Sequence, residues 1–365
     1  MGESANGSLA QRQGGRIVPP MERNPTLGDI ANKAGVSRFT VSLALRNSPR
    51  VAEETRNKVR QVAQDMGYRP NPTLAALMRS IRSKTRGERG TSLALIVAID
   101  QPQWQGRHHY LFELRRGAQE RADLLGYGFE MITLPKAKDP GRRLQQIIEA
   151  RGIDGLIIAP FPHLGFRLDL DFSRLAYVSI GHTLTEVPAN RIEAATYHNM
   201  RTVLDATLER GWKRPGAVIH HRLNAAVENR LLGAYLAYGQ EREGSNTVPP
   251  LLCDERDLTP ERVLAWVKKH RVDAVIGGRG VIVDWLNEAG LRVGRDIGFA
   301  HLDCAPYSTT LAGMDQRLAE VGGTAVEMLG EQIQANMRGI PRIPKMVEIY
   351  GVWHDGPTMP MKVAR

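Results

Sequence analysis

Cysteine is rare in this chain, and long apolar runs are absent. Cys253 and Cys304 are the two cysteines in 365 residues, too few for a disulfide framework or a metal site with four cysteine ligands. Such a composition favours a reducing compartment, the cytoplasm. No stretch of about 18 consecutive apolar residues occurs, so no transmembrane helix is expected. The N-terminus also lacks the apolar core of a secretory signal peptide. We therefore expect a cytoplasmic protein without a membrane partner.

The motifs of several enzyme classes are missing as well. The run Gly277–Gly280 reads Gly-Gly-Arg-Gly and lacks the Gly-Lys-Ser/Thr ending of a phosphate-binding loop. No Gly-x-Ser-x-Gly elbow occurs for a nucleophilic serine, and no histidine pair has the helical spacing of zinc ligands. His220 and His221 are a candidate metal pair, and a surface pair at the end of a strand is the alternative. The sequence predicts no catalysis, no cofactor and no metal site.

Positive charge is concentrated in the first quarter of the chain. The whole chain has 49 basic and 39 acidic side chains, and residues 1–90 hold 16 of the basic and 7 of the acidic ones. Residues 91–365 are therefore close to neutral. A basic head on a neutral body favours a polyanionic partner, bound with a steep dependence on salt. An anionic membrane is the alternative polyanion, but no basic amphipathic helix with an aromatic face supports it.

The head has the pattern of two short helices joined by a turn. Apolar residues at i, i+3 and i+4 over Leu27–Ala31 form one face of the first helix. Gly35 can take the positive φ that ends a helix, and Ser37 is a suitable N-cap for the second helix. A third helix is predicted over 51–66, where glycine and proline follow it. Three helices in about 45 residues make a small core, of the size of a DNA-reading headpiece.

This head resembles the helix-turn-helix of the lactose-repressor/galactose-repressor (LacI/GalR) family of bacterial transcription regulators. The resemblance implies a recognition helix that enters the major groove and reads base edges from its N-terminal end. It extends, more loosely, over residues 26–355. The residues that carry it in the head are Thr26, Leu27, Asp29, Ile30, Ala31, Ala34, Gly35, Val36, Ser37, Thr40, Val41, Ser42, Thr55, Arg56, Val59, Tyr68, Pro70 and Asn71.

The resemblance also implies which side chains contact DNA. Arg38 and Phe39 are expected at base edges, and Leu43, where some relatives have an arginine, is expected at a thymine methyl group. Thr26, Lys33, Thr40 and Ser42, whose side chains carry a hydroxyl or an ammonium group, are expected at phosphates. The full set of expected DNA contacts is Thr26, Lys33, Ser37, Arg38, Phe39, Thr40, Ser42, Leu43, Arg46, Tyr68, Asn71, Leu74 and Leu77.

A short apolar piece, Thr73–Met78, follows the head and precedes a basic linker. It is too short to be a stable helix by itself. In the family that the chain resembles, the corresponding segment is a hinge helix that orders on the operator and inserts a leucine into the minor groove. Leu77 has that position here, and such a wedge bends the DNA. The alternative is a linker leucine that packs on the body.

Changes in composition along the chain predict five segments. The first has no periodicity and is expected to be disordered, and we expect Met21 to be the true start because the family's helix-turn-helix lies close to the N-terminus. The expected segments are a disordered extension (1–22), a DNA-binding headpiece (23–70), a hinge helix and linker (71–90), a two-lobed effector-binding and dimerisation domain (91–355) and a C-terminal tail (356–365).

From residue 91 onwards, apolar strands alternate with helices, which is typical of parallel sheets covered by helices. About 275 residues suit two such sheets better than one. The expected fold class is α/β, with a small all-α headpiece and two Rossmann-like parallel-sheet lobes similar to a type I periplasmic-binding protein. Strands are expected at 92–99, 127–134, 153–159, 176–180, 216–220, 274–277 and 297–301, and helices at 110–125, 142–151, 200–210, 230–240, 259–270, 282–289 and 322–337.

Effector residues are expected beyond the carboxyl ends of the strands, where open α/β sheets bind ligands. The family resemblance assigns Arg230, whose guanidinium suits sugar hydroxyls or a carboxylate, and Asp303, an acceptor for hydroxyls. The alternatives are an inter-lobe salt bridge for Arg230 and a strand-end cap for Asp303. Arg279 replaces an acceptor of many relatives, which favours an anionic ligand. The expected effector contacts are Asp100, Trp104, Phe161, His182, Arg230, Arg279 and Asp303.

The sequence thus predicts a homodimeric transcription regulator, a repressor, that binds a palindromic operator in the nucleoid. Its expected effector is a small molecule in the cleft between the lobes, a sugar or a sugar derivative. The alternative is a sugar-sensing binding module whose head binds DNA weakly or is vestigial.

Overall fold

The computed structural model describes most of the chain. It forms two compact units, one within Met1–Arg82 and the other within Ser83–Arg365. The second unit contains two lobes, each built on a sheet of six strands. The described residues are 27–45, 51–66, 68, 90–99, 109–135, 139–162, 164–241, 248–305 and 309–362, without the side chains of Leu27 and Ser42.

The first unit contains the three predicted helices, α1 (Leu27–Ala34), α2 (Arg38–Leu45) and α3 (Glu53–Asp65). Each helix contributes a fully buried side chain to one core: Ile30, Val41 and Val59. The apolar residues that the spacing places on one face of each helix are therefore the ones that pack together. This confirms the helix-turn-helix prediction.

The first lobe of the second unit is an all-parallel sheet. Its strands are β1 (Ser92–Val97), β2 (Gly128–Thr133), β3 (Ile153–Ile158), β4 (Ala176–Ile180), β5 (Asn190–Ala194) and β11 (Met346–Ile349). They lie in the order β11-β5-β4-β3-β1-β2. Helices α4 (His109–Leu125) and α11 (Leu318–Gln334) pack on one face and α5 (Pro140–Arg151) on the other. Because both faces are covered, β1 is apolar and buried from Leu93 to Val97.

The second lobe has the same layout, with one reversed edge strand. Its strands are β6 (Pro215–His220), β7 (Leu251–Cys253), β8 (Ala274–Gly277), β9 (Gly298–His301), β10 (Ala312–Asp315) and β12 (Val352–His354). They lie in the order β12-β10-β9-β8-β6-β7, and β12 runs antiparallel to β10. The helices of this lobe are α6 (Thr196–Glu209), α7 (His221–Ala226), α8 (Arg230–Glu241), α9 (Pro260–His270) and α10 (Val281–Glu288). The predicted α/β class with two parallel-sheet lobes is confirmed.

The chain crosses between the lobes three times, after β5, after β10 and after β11. One buried amide ties the crossings together. Asn199, at the start of α6, donates through Nδ2 to Gln316 Oε1 at 2.8 Å and accepts from the backbone N–H of Gly351 at 3.0 Å. Gln316 in turn donates to the carbonyl of Leu302 at 2.6 Å. Residues from all three crossings therefore meet at Asn199.

Residues 356–362 of the predicted C-terminal tail lie within the described part of the chain. Residues 356–362 belong to the second lobe: Met359 is 1% exposed, and Thr358 exchanges backbone and hydroxyl hydrogen bonds with Phe299 and Ala312. Trp212 also donates to the carbonyl of Pro360 at 3.1 Å. The predicted extension at 1–22 and the hinge at Thr73–Met78 lie outside the described residues.

Candidate DNA-binding surface and ligand cleft

The first turn of α2 presents an aromatic ring and a guanidinium at the surface of the head. Phe39 is 70% exposed, and Arg38 is exposed beside it. The guanidinium lies against Gly28, where a Cβ atom would be 2.7 Å from Arg38 Nη2. A ring left in water forgoes the free energy of burial that a partner would supply. This turn is therefore the candidate base-contact surface.

The turn before α2 is built as the sequence predicts. Gly35 has a φ of 69°, in the left-handed region that ends a helix. Ser37 Oγ accepts from the backbone N–H of Thr40 at 3.0 Å and lies 2.8 Å from Thr40 Oγ1. Ser37 is thus confirmed as the N-cap, and its hydroxyl serves the helix in the free protein.

The other predicted DNA contacts differ in how accessible they are. Lys33 is exposed at the end of α1. Leu43 and Tyr68 are half-buried and pack against the core of the head, so only part of each side chain faces outward. Outside the described residues lie Thr26, Arg46, Asn71, Leu74 and Leu77, together with the side chain of Ser42.

In the second unit, the lobes face each other through the carboxyl ends of their strands. Arg222 of α7 donates through Nη1 to the carbonyl of Pro162, which follows β3 of the first lobe, at 2.9 Å. Tyr110, at the start of α4, lies near the same guanidinium, and burial raises the pKa of its hydroxyl to about 12. These contacts line one side of the cleft.

Arg230, at the start of α8, is the centre of an ion-pair cluster that joins the lobes. Its Nη1 donates to the buried carboxylate of Glu193 on β5 and, at 2.9 Å, to Glu348 on β11. Its Nη2 donates to Glu228 at 2.9 Å. His182 lies between two of these carboxylates, with Nε2 3.0 Å from Glu193 Oε2 and Nδ1 3.1 Å from Glu228 Oε1, and Nε2 makes no hydrogen bond among the described residues. We call these five residues the Arg230 cluster. This geometry is that of an inter-lobe salt bridge, the alternative that the sequence analysis gave for Arg230.

Asp303, after β9, has one oxygen engaged and one free. Backbone N–H groups of Ala305 and Gln316 bond its carboxyl group, as a strand-end cap would, whereas Oδ1 is buried and has no partner among the described residues. Burial, with a smaller contribution from the carboxylate of Asp315, raises its pKa to about 7. At neutral pH Asp303 can therefore donate a hydrogen bond as well as accept one.

Two of the predicted effector residues, Phe161 and Arg279, are engaged in contacts within the protein. Phe161 is 4% exposed, and its ring stacks on Phe166 with centroids 4.3 Å apart, so it belongs to the core of the first lobe and not to the cleft surface. Arg279 pairs with Glu255 at 2.5 Å, so the guanidinium on which the expectation of an anionic ligand depended is already engaged within the protein. Asp100 and Trp104 lie outside the described residues.

His220, which the sequence analysis gave as half of a candidate metal pair and did not include among the expected effector contacts, is a cleft residue. It ends β6, and both of its ring nitrogens are buried without a hydrogen-bond partner among the described residues. Burial, and then the charge of Arg279, lower its pKa, so the ring is neutral at physiological pH. A neutral imidazole offers one donor and one acceptor.

In the described part of the chain, no three His, Cys, Asp or Glu side chains are grouped so that they could hold a metal ion. None of the helices in the described ranges combines the length and the apolar content that crossing a membrane requires.

Comparisons with known proteins agree with this arrangement. Residues 26–71 match the model of the bacterial regulatory proteins of the lacI family. The chain is 28% identical over 347 residues to the HTH-type transcriptional repressor CytR of Escherichia coli K12, covering 87% of this chain and 92% of that protein. It is 24% identical over 325 residues to the ribose operon repressor of Haemophilus influenzae, covering 85% and 92%.

Solved structures show the same fold. A lac repressor dimer bound to operator and the anti-inducer ONPF aligns with a TM-score of 0.54 at 17% identity, covering 93% of this chain and all of that one. A regulator of the Lacl family from Rhizobium etli aligns with a TM-score of 0.58 at 16% identity, covering 74% of this chain and all of that one. The chain thus has a head that matches the lacI family of bacterial regulatory proteins and a body similar to a repressor, CytR, over most of its length.

Proposed function

We propose that the protein is a transcriptional repressor that binds a palindromic operator as a homodimer. Each subunit contacts the DNA through the first turn of its α2. The observation that carries this proposal is that Arg38 and Phe39 are both exposed in the first turn of α2, directly after its Ser37 cap. Two identical heads read two half-sites about 10 base pairs apart, centre to centre. The named relatives support the proposal, because CytR and the ribose operon repressor are repressors.

We also propose that a small molecule, a sugar or a sugar derivative, binds in the cleft and changes operator binding. Support comes from a CelR–cellobiose complex with the same fold, at a TM-score of 0.52. In this chain the ligand would meet His220 and Asp303, which have unused polar atoms, while Arg230 is held by carboxylates of the protein itself. Because the proposed activity is binding, we assign no catalytic residue, and we place the protein in the cytoplasm at the nucleoid.

The experiment for the DNA-binding proposal is selection of sites from a random duplex pool with purified full-length protein. Recovery of a two-fold symmetric sequence is expected. Phe39→Ala should abolish enrichment of that sequence, whereas Arg60→Ala, which removes an exposed cation of α3, should leave the recovered sequence unchanged. If the wild-type protein enriches no sequence, the proposal fails.

The cleft proposal has a separate experiment. Thermal stability is measured against a panel of neutral sugars, sugar acids, sugar phosphates and nucleosides. A ligand that raises the Tm of the wild type should do so far less for His220→Ala and Asp303→Asn. An equal shift in both variants would place the ligand elsewhere.

A further inference from the structure

The second lobe has a cluster of exposed cations at the amino ends of its strands. The cluster comprises Lys213 before β6, Lys268, Lys269 and Arg271 before β8, and Arg295 before β9. All five side chains are exposed. We call this cluster the basic corner. It lies at the edge of the sheet opposite the carboxyl ends that form the ligand cleft.

Folding brings together segments that are far apart in sequence. Arg214 donates through Nη2 to the carbonyl of His270 at 3.0 Å, and the carboxylate of Asp273 accepts from the backbone N–H groups of Lys213 and Arg214 at 2.9 and 2.7 Å. The backbone N–H of Asp273 donates to the carbonyl of Arg214 at 3.2 Å. The turn before β6 and the turn before β8 are therefore held side by side, and their lysines share one surface.

The acidic side chains nearby do not neutralise this surface. Asp273 is paired with Lys362 at 3.1 Å, and Asp296 with Arg292 at 2.7 Å. Among the described residues, no ion pair involves any cation of the basic corner. The body as a whole is nearly neutral, so this local excess of positive charge is a property of the fold and not of the composition.

Helix capping accounts for only part of the pattern. Cations in the last turn of α9 interact favourably with the helix dipole, which suffices for Lys268 and Lys269. It does not account for Lys213, which precedes a strand. Nor does it account for Arg271, which has a φ of 52° at a helix end where glycine is the favoured residue. A cation held at a strained position suggests a role in binding.

We propose that the basic corner binds the phosphate backbone of a second DNA duplex while the heads hold the operator. The proposal rests on the DNA-binding function proposed above. Lysine and arginine contacts to phosphates need no base recognition and supply affinity by releasing counterions. Lysine is depleted from protein–protein interfaces, so the composition of the corner favours DNA over an acidic protein.

The experiment uses the full-length protein and two duplexes. A tethered duplex carries the site recovered by selection, and a fluorescent duplex without that site is added in excess. Protein retained on the tether reports operator binding, and fluorescence reports capture of the second duplex. The test variant combines Lys213→Gln, Lys268→Gln, Lys269→Gln and Arg271→Gln. The matched control removes four exposed cations from the first lobe with Arg142→Gln, Arg143→Gln, Arg167→Gln and Arg174→Gln.

The wild type and the control should capture the second duplex. The test variant should lose capture by about tenfold or more at low salt, because several phosphate contacts are removed, with unchanged retention on the tether and unchanged Tm. Equal capture by the test variant, or no capture by any protein, would overturn the inference. Capture of a polyglutamate peptide in preference to DNA would also overturn it and would identify an acidic protein as the partner. Loss of retention on the tether by the wild type would instead refute the function proposed above.

Discussion

At the scale of single residues, local contacts were predictable and distant ones were not. Gly35 ends a helix through its own φ, and Ser37 caps the next helix through Thr40, three positions away, so the residues that form each contact lie close together in the sequence. Two of the three carboxylates that pair with Arg230 lie on β5 and β11, one of them 118 positions further along the chain. The sequence offered two interpretations of Arg230 because only the fold brings its carboxylates near.

The Arg230 cluster predicts a large effect on stability. Arg230→Met would leave the buried carboxylate of Glu193 without its cation, and unfolding in denaturant should show a loss of about 3 kcal/mol or more. The double variant Arg230→Met with Glu193→Gln should recover much of this loss, because the uncompensated charge is gone. Arg201→Ala, which breaks an exposed pair with Glu241, is the control and should lose about 1 kcal/mol or less. A similar loss in both single variants would contradict the cluster's role.

Asp303 predicts a dependence of stability on pH. Burial raises its pKa from 3.8 to about 7, so the folded protein holds a proton that the unfolded chain releases. Its contribution to stability is therefore complete below about pH 4 and is lost as pH rises towards 7. Relative to Asp303→Asn, the wild type should lose unfolding free energy across this range. A constant difference between the two proteins from pH 4 to 8 would refute the assignment.

At the scale of elements, the apolar pattern predicted most of the buried strands and helices and missed most of the strands at the edges of the sheets. Strand β8 was predicted with its observed bounds, and α11 begins four residues before its predicted start. Strands β5, β7, β10, β11 and β12 were missed. Strand β10, with the sequence Ala-Gly-Met-Asp, is buried but has no β-branched residue, and β7 has three residues. Strand β5 contains Asn190, Arg191 and Glu193, whose polar side chains form inter-element contacts, and β11 and β12 are edge strands with exposed positions. Their pairing, rather than their hydrophobicity, makes them strands.

The packing of α4 against α11 predicts opposite outcomes for two adjacent glycines. A Cβ atom on Gly322 would lie 2.1 Å from the carbonyl oxygen of Leu114, whereas one on Gly323 would be 3.5 Å from its nearest neighbour. Gly322→Ala should therefore separate the helices and lower the unfolding free energy by about 1–3 kcal/mol. Gly323→Ala should be neutral or stabilise by up to about 1 kcal/mol through helix propensity. Equal values from denaturant melts would show that the helices do not approach so closely.

At the scale of the whole molecule, the three crossings between the lobes depend on Asn199. Asn199→Ala removes partners from Gln316 and from the backbone of Gly351. Hydrogen exchange should accelerate at 315–318 and 349–352, and stability should fall by about 1–3 kcal/mol. Asn287→Ala is the control, since it removes a comparable hydrogen bond to the backbone of Val293 away from the crossings. Exchange at the crossings should be unchanged in the control, and parallel behaviour of the two variants would argue against a tie at the crossings.

The interleaved path of the chain also constrains its synthesis. Leu93 and Leu111 leave the ribosome early, yet their core is closed by α11, whose Val321, Ala325 and Leu329 are fully buried. More than two hundred residues separate β1 from α11. At about 5–20 residues per second of translation, the apolar face of the nascent first lobe stays open for on the order of ten seconds or longer. A chaperone that shields nascent apolar surface would have that interval in which to act.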